Sequence, residues 1–109
     1  MIYWCIVKFR FTGFHCWPEA PEEVVFLRNR HRHIFHCEVC IEQRHDDRDI
    51  EFFIFKKELE SGIPLYIQGE NDSCEMIASR IKEMVERDHP GRIVIVQVFE
   101  DNENGAMVN

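Results

Sequence analysis

The sequence predicts an α+β domain in which two helices cover one face of a four-stranded antiparallel sheet. Two long stretches near the N-terminus alternate apolar and polar residues with the period of a strand. Met76, Ile77, Ile81, Met84 and Val85 recur at helical spacing. The elements run strand, strand, strand, helix, helix, strand, an order that segregates the helices on one side. At 109 residues the chain fits a single domain, 1–109, since two halves would each be too small to bury a core. Hydrophobic residues make up 45% and charged residues 30%, a balance that suits a folded globular protein.

From Ile2 to His15 the odd positions Val7, Phe9 and Phe11 are apolar and Lys8 and Arg10 between them are charged, which marks a first strand. Trp17 to Arg30, with Pro18, Pro21 and three acidic residues, reads as a long connection of the kind that often carries function. A second strand is expected from about His31 to Glu42. His33, Phe35, Cys37, Val39 and Ile41 share one face, and His36, Glu38, Cys40 and Glu42 the other. The polar cluster His45 to Asp49 has turn chemistry and leads to a third strand, Ile50 to about Phe53, closing a hairpin. Lys56 to Glu60 reads as a short helix stopped by Ser61, Gly62 and Pro64. Asp72 and Glu75 resemble a capping box that opens a helix running to about Asp88. His89, Pro90 and Gly91 break it, Ile93 to Phe99 suits a buried strand, and Asp101 to Asn104 begins a polar tail.

Thirteen Lys and Arg against 20 Asp and Glu give a formal charge of -7, which opposes attachment to nucleic acid or an anionic membrane. The apolar runs fall far short of the roughly 20 residues that span a bilayer. The N-terminus opens on strand patterning without secretory-signal features, and the five cysteines are an odd number, so a cytoplasmic address and reduced thiols are expected. Cys37 and Cys40 have Cys-x-x-Cys spacing, but positions three apart on a strand face opposite sides, and no second pair completes four ligands.

The strongest chemical signal is histidine. Three of the six histidines fall within His31, Arg32, His33, Ile34, Phe35, His36. His31 and His33 point to one side of a strand about 7 Å apart along the chain, and both rings can converge on one ion. His15 ends the first strand on the face of Phe9 and Phe11 and reaches the same point if the two strands pair. Three imidazoles with an open fourth position describe a catalytic or ligand-binding zinc site rather than a closed structural one. The alternative is a set of ordinary surface or core histidines. His36 faces the other way, and about twelve residues of strand at about 3.3 Å each separate His45 from His33. Arg28, Arg30 and Arg32 could meet an anionic group or simply form a solvated basic edge. A single sheet with two open edges favours pairing between subunits.

These residues resemble the tunnelling-fold 6-pyruvoyl- and 6-carboxy-tetrahydropterin synthases, nearly end to end. Phe11-Thr12-Gly13-Phe14-His15 is similar to the family's Phe-Ser-Ala-Ala-His, and His31-Arg32-His33 to its His-Gly-His. Ile50-Glu51-Phe52 with Lys56 resembles its Val-Asp-Phe and following Lys, Ser73-Cys74-Glu75 its Thr-Ser-Glu, and Glu100-Asp101 its terminal Glu-Thr. The resemblance implies zinc on His15, His31 and His33, and Glu100 as the anchor of a pterin- or purine-like ligand rather than a metal ligand. It also implies a homo-hexamer of two trimers, whose sheets close into a barrel with sites between subunits. Two departures set this chain apart: the family's nucleophilic Cys, four residues before the first His of His-Gly-His, is here Leu27, and Ser61 to Asn71 contains no counterpart of its Asp-His pair. The usual acid-base set is therefore missing. Two functions stay open: a zinc-dependent enzyme, a lyase or hydrolase on a small molecule, or a binding module that kept metal and pocket without the chemistry. Cys16 is the nearest replacement thiol, though it should point off the opposite face unless the strand has ended.

Overall fold

A computed structural model describes all residues, Met1–Asn109. Strand β1 (Tyr3–His15) runs antiparallel to β2 (His31–Gln43), with a 3-10 segment, Glu22–Arg28, in the connection. Three helices follow, α1 (Phe52–Ser61), the single turn α2 (Ile63–Tyr66) and α3 (Cys74–Asp88), and then β3 (Val94–Glu100) and β4 (Asn104–Val108). The sheet is antiparallel throughout, in the order β1-β2-β3-β4. This is the expected α+β class, with a different fourth strand.

Parity makes the core. The odd positions Val7, Phe9, Phe35, Cys37, Val39 and Ile41, with Val94, Val96 and Val98, lie on one face against Phe55 and Leu59 of α1 and Ile77, Ala78, Ile81 and Val85 of α3. The even side of β1 and β2 stays uncovered by helices, so Cys37 is buried while Cys40, facing the other way, is only partly so. All five cysteines are free. β3 is buried on one face only, for Ile95, Gln97 and Phe99 between the buried valines are partly exposed. No helix is long and apolar enough to cross a membrane.

Four expectations need correction. Ile50 to Phe53 is not a strand: Glu51 accepts the Phe53 backbone N–H at 2.6 Å as an N-cap, and the helix starts at Phe52 so that Phe55 and Leu59, four apart, both reach the core. The hairpin partner of β2 is therefore β1, and β2's second neighbour is β3. The cap of α3 is Ser73, whose hydroxyl accepts from Met76 N–H, and Asp72 lies outside the helix. Asp101 to Asn104 leads into β4 rather than a tail, through a turn in which Asp101 and Asn102 take φ of 51° and 59°, a region that Asp and Asn enter more readily than most residues.

Candidate metal centre

The β1–β2 register sets His15 directly opposite His31 and Gly13 opposite His33. Gly13 matters for the approach, because a Cβ there would lie 2.8 Å from Cε2 of Phe35. Phe35 is fully buried beneath the histidines, its ring centroid 5.4 Å from that of His15 and 5.9 Å from that of His33. The three imidazole centroids lie 4.6, 5.1 and 4.8 Å apart in edge-to-face arrangement. One ring nitrogen from each lies within 4.8 Å of the others, so the expected trio is brought together at one point.

The second nitrogen of each ring fixes which atom faces that point. His15 Nδ1 is 2.7 Å from the carbonyl of Asp72, His31 Nδ1 is 2.8 Å from the carbonyl of Asn29, and His33 Nδ1 is 2.7 Å from Oδ2 of Asp101. All three partners only accept, so each Nδ1 carries a proton and donates it, which in the neutral ring leaves the Nε2 lone pair free. The Nε2 atoms of His31 and His33 are buried and have no hydrogen-bond partner. An orphaned buried acceptor is costly unless something satisfies it. Neutral rings oriented through Nδ1 are the state in which histidine binds a metal. The residues thus fit a divalent ion.

The outer partners are themselves held. The Asp72 carboxylate accepts Gln68 and Gly69 backbone N–H groups at 2.7 and 3.0 Å and pairs with Arg80 of α3. Burial pushes its carboxyl up, but the Arg80 and backbone donors outweigh this and hold it below the usual range. Asp101 accepts Ile34 N–H on Oδ1 at 2.9 Å as well as His33 on Oδ2, and these two bonds lower its carboxyl. Glu100, at the end of β3 opposite Phe35, brings Oε1 within 3.3 Å of His15 Nε2 and Oε2 within 3.3 Å of His33 Nε2.

A cavity of about 470 Å³ opens beside the histidines, between the start of α3, the end of β3 and the connection after β1. His15, His31, Glu100, Cys74, Met76 and Asn71 are among its lining. Burial first, then Glu100, pushes the Cys74 thiol up to about 12, so it stays protonated. Leu27 also faces this space. So does Cys16: β1 has ended at His15, and the Cys16 thiol turns inward, its Sγ 3.5 Å from Oδ1 of Asn71. A larger hollow of about 560 Å³ between Lys8, Arg10, Lys56 and Glu60 brings no comparable set of ligand atoms together.

Of Arg28, Arg30 and Arg32, the first two are engaged elsewhere, while the charge of Arg32 acts on Asp101. Arg28 donates to the Ala20 carbonyl and Glu22, and Arg30 lies 4.1 Å over the Phe14 ring and pairs with Glu70. His45 lies beyond the other end of β2, beside Asp49. Asp101, Asn71, Asp72 and Cys74 escaped the sequence reading as parts of the site. Only Asp101 carried a usable signal, an Asp-Asn pair of the kind that enters tight turns. Set against known proteins, the chain matches no protein-family model and no curated protein.

Proposed function

We propose that this chain is a tunnelling-fold domain, a divergent relative of the 6-pyruvoyl- and 6-carboxy-tetrahydropterin synthases. It holds one zinc ion on His15, His31 and His33 and binds a pterin- or purine-like small molecule in the adjoining cavity. The observation that supports the metal part of this reading is the shared orientation of the three rings, each tied through Nδ1 to an acceptor and each bringing a ring nitrogen to one point. Zinc suits an all-imidazole set and would supply a Lewis-acid position for a ligand oxygen. Glu100 borders the cavity and can accept a guanine-like N–H edge on both carboxylate oxygens.

A homo-hexamer of two trimers is supported by the uncovered face of the sheet, where Ile6, Phe14 and Met107 are exposed, and by the open edges at β1 and β4. Binding without catalysis is the reading that Leu27 favours, because it sets an apolar side chain on the cavity wall. Purified protein should contain about one zinc per chain, and a His31→Ala, His33→Ala double variant almost none, since one imidazole leaves a weak site. Equal zinc content in the two would remove the metal reading. Mass spectrometry of small molecules that co-purify should show a pterin or purine. Light scattering should give a trimer or hexamer; a strict monomer at micromolar concentration would remove the shared site.

A further inference from the structure

We infer that Glu100 is the fourth protein ligand of the metal centre while no small molecule is bound, so that the site is closed at rest. This rests on the metal reading above.

Glu100 shares the inward parity of Val94, Val96 and Val98, so its carboxylate comes in on the histidine side of the sheet. Its two oxygens stand 3.3 Å from His15 Nε2 and 3.3 Å from His33 Nε2. In the neutral form that binds a metal, both rings give their one proton to an acceptor on the far side. The facing atoms are then lone pairs set against carboxylate oxygens, and His33 Nε2 has no hydrogen-bond partner although Glu100 is beside it. Acceptors crowded around one point repel one another unless a proton or a metal cation lies between them. Each of these two spacings, one to either carboxylate oxygen, matches a shared ion, and one oxygen would turn inward to complete the set with His31. Two ligand atoms bound about 2.0 to 2.1 Å from one tetrahedral ion lie about 3.3 to 3.4 Å apart. Cys74 supports the pose, its thiol directed at Glu100 Oε1 from 3.8 Å.

Three neutral imidazoles and one carboxylate would leave a divalent ion no vacant tetrahedral position. A small molecule could reach the metal only by displacing Glu100, and the freed carboxylate could then accept that molecule's N–H edge. Glu100 is thus a gate as well as an anchor.

Zinc affinity is measured by competition with a chromophoric chelator in wild type, Glu100→Gln and His33→Ala, each checked for folding by circular dichroism. Visible spectra of the cobalt(II) forms are recorded with and without azide. Glu100→Gln should still bind one metal per chain but at least about tenfold more weakly, the lower end of what losing even an outer partner costs. Azide should shift its cobalt spectrum and leave that of the wild type unchanged. Wild-type zinc affinity in Glu100→Gln, or a wild-type cobalt spectrum that responds to azide as the variant's does, would overturn the closed site while leaving the three-histidine centre intact. Wild type that binds no metal, or His33→Ala that binds it equally well, would overturn both readings.

Discussion

Replacing Asp101 by Asn removes one charge behind His33 and changes little else. The two Asp101 oxygens each hold one donor, His33 Nδ1–H at 2.7 Å and Ile34 N–H at 2.9 Å. An amide has only one oxygen. If that oxygen stays on Ile34, its NH2 meets the Nδ1–H of His33 donor to donor, and the ring escapes only by moving its proton to Nε2, which removes the lone pair aimed at the site. If the oxygen turns to His33, the NH2 faces the Ile34 N–H, and His33 keeps its tautomer without the negative charge that made it a stronger ligand. Both arrangements weaken the centre. Losing an outer carboxylate of this kind costs about 10- to 100-fold in metal affinity, and that is the expected fall for Asp101→Asn. The backbone at position 101, at φ 51°, accepts Asn as readily as Asp, so the fold should persist. Zinc competition with a chelator reads the affinity, and far-UV circular dichroism the fold. A folded variant with wild-type zinc affinity would refute the idea that Asp101 tunes His33.

Two predictions concern the frame that carries the site. Leu59 is fully buried where α1 meets the sheet, and Leu59→Ala should cost about 2 to 5 kcal/mol in urea unfolding; a loss well under 1 kcal/mol would mean that α1 is not seated as described. Asp49, held by Arg92 and the Arg44 backbone N–H, has its carboxyl lowered to about 2 from 3.8. Because the folded value is the lower one, its contribution is complete above about pH 4 and is lost as pH falls through about 2. Asp49→Asn should therefore lower Tm at pH 7, and the gap from wild type should narrow toward pH 2. A pH-independent gap would contradict this.

What the sequence disclosed follows from which signals are periodic. β1, β2 and α3 were readable because one side of each is core and the other is not, and the same parity placed His31 and His33 together and His15 beside them. Ile50 to Phe53 was misread because four consecutive residues, three of them apolar, fit neither period, and only Phe55 and Leu59 further on mark the helix. β4 gave no pattern at all. It is five residues long and contains Gly105, where a Cβ would meet the Phe99 Cα at 2.7 Å, so its place is set by closeness to β3 and not by alternation. The outer partners were hidden for a different reason. Asp72 and Asn29 act through backbone carbonyls, which any residue type supplies, and Asp101 meets His33 across 68 positions of chain.

The cavity thiol bears on whether binding or chemistry is the better reading. Backbone N–H groups of Cys16 and Trp17 donate to the carbonyls of Glu70 and Leu27 at 2.6 and 2.7 Å, pinning the chain just after β1 and holding the Cys16 side chain in the cavity. A thiol that moves protons or attacks a substrate needs a base within reach. The partner Cys16 has is Asn71 Oδ1, an amide oxygen that accepts a hydrogen bond but is too weak a base to take the proton at neutral pH. The nearby imidazoles of His15 and His31 are committed through Nδ1 to backbone carbonyls. Cys74 is kept protonated by burial and by Glu100. Neither thiol is therefore activated as the chain stands, and Leu27 adds an apolar wall where a reacting group would be useful. A site so arranged gives thiol chemistry no support, and on the proposed reading Glu100 is the side chain that would exchange the metal for a ligand.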